Sequence, residues 1–299
     1  MARHGRGQCW KNSSEVSIGR RPSEDRLSLH RVIRTNLKSP VVLLKEASRS
    51  RACMSGNPKH PCRVGVAEIK NTVETLLKCS RQLLWENDDP HFEFTITGTG
   101  FLGRFKGRHF FITAKHCLDG YEINQLRVEI VPGSGIFDAR KTLHVLQGKE
   151  PYQDLAVIEF DPDLNPKERL GSADFLDLDY FATLPAVHLA GWVFAFRGYP
   201  AEKNTPDWDN KVLKNTTISV DGHWSGKHVK PNTGTFELSA PVSELGIADI
   251  DGSSGSPVFE LFSKTDGVAY KLAGVLVWEQ GGIVRFIEAY ILFEFLKKI

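Results

Sequence analysis

Three short segments carry side chains that together could perform nucleophilic chemistry. Ser254 sits in Asp251-Gly252-Ser253-Ser254-Gly255-Ser256-Pro257, just before an apolar run. His116 directly follows the apolar stretch "FFITA" and Lys115. Asp154 opens the strongly apolar "DLAVIEF". A serine hydroxyl is a weak nucleophile near neutral pH. It needs a base to take its proton, an acid to orient that base, and backbone N–H donors for the oxyanion. Glycines beside a serine let the backbone turn tightly and aim N–H groups at one point. On this pattern the expected base is His116, the expected orienting acid Asp154 and the expected nucleophile Ser254, with the N–H groups of Gly252 and Ser254 as the expected donors.

Rival assignments are weaker. Ser253 and Ser256 lack the same placement between glycines, and Asp119 lies only three residues beyond His116. An α/β-hydrolase uses the order serine, acid, histidine. No histidine follows Ser254, and position 256 is Ser where that fold's elbow needs Gly. Asp161, Asp163 and Asn165 mimic the start of a calcium loop. Pro166 stands where such a loop needs Gly, and Ser172 stands where it needs an acid. His223 and His228 belong to a polar loop in this reading. The five cysteines (Cys9, Cys53, Cys62, Cys79, Cys117) show no zinc-ligand spacing. Neither a metal nor a cofactor is expected.

The elements that must position these residues are mostly strands. From Phe92 onward about a dozen short apolar or alternating runs are separated by Gly, Pro, Asn or Asp, the pattern of a barrel or sandwich. "FEFTITGTGFLGRF" and "RHFFITA" form a hairpin turning at Lys106-Gly107. "IEAYILFEFLKK" predicts a C-terminal helix whose Lys297 and Lys298 sit at the negative end of its dipole. Upstream, Ile69, Val73, Leu76, Leu77, Leu83 and Leu84 fall on a helical stripe, which predicts an amphipathic helix over 64–88. Residues 1–63 have no sustained period and are rich in Arg, Ser, Gly and Pro, which predicts a basic, disordered tail. Lys and Arg number 14 against 4 Asp and Glu up to residue 66, and 24 against 32 beyond it.

The three chemical segments together resemble the trypsin-like (chymotrypsin-fold) serine peptidases, in a bacterial-type form. "TAKHC" resembles that family's histidine motif, "QDLAVIEF" its aspartate motif and "GSSGSPV" its serine motif; "FRGYP" is similar to a segment of bacterial members. The resemblance covers roughly residues 92–299. It implies an all-β fold of two six-stranded antiparallel barrels, with a peptidase domain over 89–299. It also implies hydrolysis of peptide bonds through an acyl-enzyme. By position it places Ala248 at the base of the substrate pocket, with "AGVLVW" as the pocket strand; Trp278 and Glu279 then line the pocket.

The chain departs from the family in three ways. Cys117 has no cysteine partner in "GTGFLG" and is expected to be a free thiol. Ser253 replaces the aspartate that receives a freed amino terminus in digestive zymogens, so that activation route is closed. Ala248 gives no basis for a preference for Arg or Lys. The expected partner is a peptide or protein substrate, and a regulatory protein could order the oxyanion loop. The basic tail holds no recognisable nucleic-acid module, and no run reaches the ~20 apolar residues of a membrane span. Cysteine usage points to a reducing, cytoplasmic setting. The alternative class is a catalytically silent peptidase fold that serves as a binding module.

Overall fold

The computed structural model describes residues 73–74, 76–87, 94–128, 141–161, 174–184, 193–205, 215–224, 231–264 and 267–299. The basic tail, the start of the expected 64–88 helix, the calcium-like stretch after Asp161 and His228 lie outside them. The described strands are β1 Ser80–Glu86, β2 Phe94–Phe105, β3 Arg108–Ala114, β4 Leu126–Arg127, β5 Lys141–Val145, β6 Leu155–Phe160 and β7 Leu176–Asp177. They continue with β8 Val193–Gly198, β9 Ile218–Trp224, β10 Thr233–Leu238, β11 Pro257–Lys264, β12 Gly267–Gln280 and β13 Ile283–Glu288. Helices α1 Leu178–Phe181 and α2 Ala289–Leu296 complete the set.

The strands form two sheets. The first is seven-stranded in the order β4-β1-β2-β3-β6-β5, with β7 parallel to β2; the second is a closed barrel in the order β10-β13-β12-β11-β8-β9. The chain is therefore all-β in character. Among the described residues one sheet closes and the other is open, where two closed barrels were expected. The open edges are β4 and β5, which are consecutive strands.

Local chemistry explains the regular parts. Lys106 and Gly107 have φ of 50° and 76°, the double positive φ of a two-residue hairpin turn whose twist suits the flanking strands. The turn pairs Phe105 with Arg108 and sets the whole β2–β3 register. In β8, Phe194 and Phe196 face the barrel interior with Phe236 and Phe286; Ala195 faces outward into the core under the first sheet. Phe259 and Leu261 of β11 join that outer core, so the barrel's outer face is sealed against the first sheet by apolar burial. In α2, Leu292, Phe293 and Leu296 pack into the same core, and Lys297 pairs with Glu294 at 2.8 Å.

The 64–88 helix requires correction. Residues 73, 74 and 76 are helical, Leu77–Cys79 is one 3₁₀ turn, and Ser80–Glu86 is strand β1. The reason is two-sided burial. Leu83 and Trp85 pack into the main core, while Leu84 on the opposite face packs with Phe94 and Ile96. A strand covered on both faces loses its alternation, and a short apolar run then cannot be told from a helix by period. No helix among the described residues is long and apolar enough to cross a membrane.

Candidate active site

β3 and β6 are neighbours, with Ala114 opposite Leu155. The residues just past their paired ends therefore meet. Lys115–Leu118 forms a 3₁₀ turn that carries His116, and Asp154 caps the Pro151–Gln153 turn that leads into β6. Lys115 N–H donates to the Asp154 carbonyl at 3.2 Å. The Asp154 carboxylate grips the histidine at two points. Oδ1 accepts from the His116 backbone N–H at 2.9 Å, and Oδ2 lies 2.6 Å from His116 Nδ1. With Nδ1–H given to the carboxylate, neutral His116 carries its lone pair on Nε2. The hydrogen bond to Asp154 raises the His116 pKa well above its ordinary 6.5; Cys117 adds to the rise, and burial opposes it.

The serine loop is tied to the same place. Ser254 C=O accepts from Thr99 N–H at 3.0 Å and from the Cys117 thiol at 3.7 Å. Ser254 is thus held beside the residue that follows His116. The free Cys117 thiol faces Gly98: a Cβ built on that glycine would lie 2.8 Å from its Sγ. Ser254 Oγ donates to the Val277 carbonyl at 3.4 Å, and among the described residues no hydrogen bond joins it to His116. Such bonds often tighten only when substrate is bound.

The loop's backbone is spent unevenly. Ser253 N–H donates to Ile250, Gly255 N–H to Leu276 and Ser256 N–H to Ser253. The N–H groups of Gly252 and Ser254 have no acceptor among the described residues. Their directions follow from planar trans peptides, in which C=O and N–H point opposite ways. Asp251 C=O is taken by Ala201 N–H at 2.7 Å, which turns Gly252 N–H away from Ala201. Ser253 C=O is taken by Ser256 N–H at 3.1 Å and Ser256 Oγ at 2.6 Å, which turns Ser254 N–H away from Ser256. Gly252 needs its φ of 87° for this path, and a Cβ there would lie 2.7 Å from the Tyr199 carbonyl. Ser253 is fully buried, and its Oγ has no partner. A Cβ on Gly198 would lie 2.3 Å from that oxygen, so the side chain is pressed onto a glycine.

The expected pocket residues are placed as follows. Ala248 is exposed, and its N–H donates to Glu202 Oε2 at 2.8 Å. Trp278 is exposed beneath the Arg285 guanidinium, 4.8 Å from the ring centre. Glu279 turns back to accept from Gly282 N–H at 2.8 Å, so one carboxylate oxygen caps the β12–β13 turn. A cavity of about 200 Å³ lies elsewhere, lined by Phe181, Lys271, Ala273, Tyr290 and Phe293 among others, and includes none of the three chemical residues. Sequence reasoning missed Thr99. Its backbone and hydroxyl both hold the serine loop, and the only trace of it is the small-residue run "GTG". Among the described residues no His, Cys, Asp and Glu group of three or more is placed to hold a metal ion. No protein-family model and no curated protein matches the chain.

Proposed function

We propose that this protein is a serine-type endopeptidase of the trypsin-like kind. The observation that carries the reading is the two-point Asp154–His116 pair beside a loop that leaves two N–H groups unspent. In this reading His116 Nε2 takes the proton of Ser254 Oγ as that oxygen attacks the peptide carbonyl carbon. Gly252 and Ser254 N–H receive the oxyanion. His116 then passes the proton to the amine as the C–N bond breaks, and water repeats the steps in reverse roles to release the acyl group. Asp154 holds the imidazole and stabilises its cation. In the same reading β4 and β5 pair with each other, which makes the first sheet a second barrel. Ala248, Trp278 and Glu279 border the substrate, and the enzyme acts in the cytoplasm.

The silent-fold reading has one observation in its favour, the Ser254 Oγ bond to Val277 in place of His116. A fluorophosphonate separates the two readings. Peptidase action requires covalent labelling of Ser254 in the wild-type chain, no labelling in Ser254→Ala, and a loss on the order of 10⁶-fold in peptide hydrolysis. A folded wild-type chain that resists labelling, or a Ser254→Ala variant that still cleaves peptides, defeats the proposal.

A further inference from the structure

Thr99 of β2 is fully buried, and every polar atom it has is used. Its N–H donates to Ser254 C=O at 3.0 Å, and its C=O accepts from Thr113 Oγ1 at 2.6 Å. Its hydroxyl accepts from Tyr199 N–H at 3.0 Å and donates to Gly252 C=O at 2.7 Å. The Tyr199 N–H occupies one lone pair and has no other role at that oxygen, so the hydroxyl proton is directed to Gly252. The consequence concerns Gly252 N–H. The peptide before Gly252 is fixed by Ala201 N–H on Asp251 C=O; the peptide after it is fixed by Thr99 Oγ1 on its C=O and by Ile250 C=O on its Ser253 N–H. With both flanking planes held, Gly252 is kept at its φ of 87° and its N–H stays turned away from Ala201.

We propose that the Thr99 hydroxyl is the latch that holds the oxyanion-binding loop in its competent conformation, reaching from the first sheet to the loop that precedes β11. This rests on the serine peptidase reading. Thr99 touches no reacting atom and is a positioning residue. The latch also takes the place of the amino-terminus ion pair that Ser253 cannot form, since Ser253 is buried on Gly198 with no partner for its oxygen. Without the hydroxyl, Gly252 C=O loses its donor in a partly buried place. An acceptor left without its donor away from water is unfavourable, which favours a loop that turns outward to water. The donor then leaves the oxyanion position, and loss of one such donor lowers turnover by up to about 10²–10³-fold.

The test uses the full chain and three variants. Thr99→Val keeps the shape and removes the hydroxyl, Thr99→Ala removes it with no chance of a clash, and Thr99→Ser keeps it. Two quantities are read: the rate of fluorophosphonate labelling at Ser254, and amide hydrogen exchange across residues 249–256 with β2 and β3 as internal references. The expected result is labelling slowed about 10- to 100-fold in Thr99→Val, with faster exchange confined to the loop and both properties restored within about threefold in Thr99→Ser. If Thr99→Val does not fold, Thr99→Ala carries the same expectation. Wild-type labelling and unchanged loop exchange in the hydroxyl-free variants overturn the latch and leave the peptidase reading standing. A Thr99→Ser variant as slow as Thr99→Val also overturns it. A wild-type chain whose loop exchange follows the hydroxyl but whose Ser254 is never labelled sinks the peptidase reading, and the positioning role with it.

Discussion

Asp154→Asn perturbs the pair at its centre with almost no change in shape. The carboxylate now accepts two hydrogen bonds, from His116 N–H at 2.9 Å and from Nδ1 at 2.6 Å. An amide offers one acceptor and one donor. If its oxygen keeps the backbone N–H, its NH₂ faces Nδ1, and the ring proton moves to Nε2, where it blocks the base. If the amide flips, Nδ1–H is satisfied, but NH₂ opposes the His116 backbone N–H and leaves a donor unpaired. That arrangement costs about 1–3 kcal/mol, so the correct tautomer falls to roughly a tenth to a hundredth of the population. Loss of the carboxylate's charge beside the developing imidazolium removes more. A total near 10⁴-fold, about 5.5 kcal/mol, is the scale for this change in triads of this type. The base must be neutral to act, so activity should rise as pH climbs through the His116 pKa, which Asp154 lifts above 6.5. Folding stability follows the opposite limb: the pair contributes fully below about pH 6.5 and fades as pH rises through the raised value. The assay is the rate of fluorophosphonate labelling and peptide cleavage from pH 5 to 10, with folding checked by circular dichroism. Asp154→Asn should lower the plateau by about 10⁴-fold and move the rising limb toward 6.5. A folded variant within tenfold of wild type, or one with an unmoved limb, refutes the pairing argument.

Two further outcomes follow from packing and charge. Gly198→Ala would place a Cβ 2.4 Å from the Ser253 Cβ, an overpacking worth about 1–3 kcal/mol. A melting experiment should show the loss, Ser254 labelling should slow, and Ser253→Gly in the same chain should recover part of both, since the Ser253 Cα still lies 2.9 Å from the new Cβ; no recovery at all would refute the side-chain contact. Arg108 Nε lies 2.6 Å from Glu159 Oε1, and the hydrogen bond to Arg108 holds the Glu159 carboxyl below its ordinary 4.5, with burial opposing. The stability from a lowered pKa is present above about pH 4.5 and lost as pH falls through the folded value. Glu159→Gln should therefore cost about 1 kcal/mol at pH 7 and show a shallower melting-temperature decline from pH 5 to 3 than wild type; parallel declines would count against the pair.

Much of both sheets of this protein is written locally. The Lys106-Gly107 hairpin, the runs that become β3, β6, β8, β11 and β12, and helix α2 are legible because turn chemistry and apolar patterning act over a few residues. The order His116, Asp154, Ser254 is legible as residue types on strand ends. β1 is not, because burial on both faces erases its period, and that burial comes from partners far along the chain. That the first sheet ends at β4 and β5 among the described residues is likewise a matter of which strands meet. The meeting of His116 with Asp154 spans 38 positions, and the Thr99 bond to Gly252 spans 153. Glu279 shows the same dependence on contacts: one of its carboxylate oxygens accepts from Gly282 N–H. The sequence by itself determined the strands, their turns and the kinds of groups available for chemistry, since those depend on neighbours. Only the tertiary structure decided which N–H groups remain unspent and which hydroxyl holds them, because a hydrogen bond depends on an ångström-scale meeting of distant segments that no local propensity encodes.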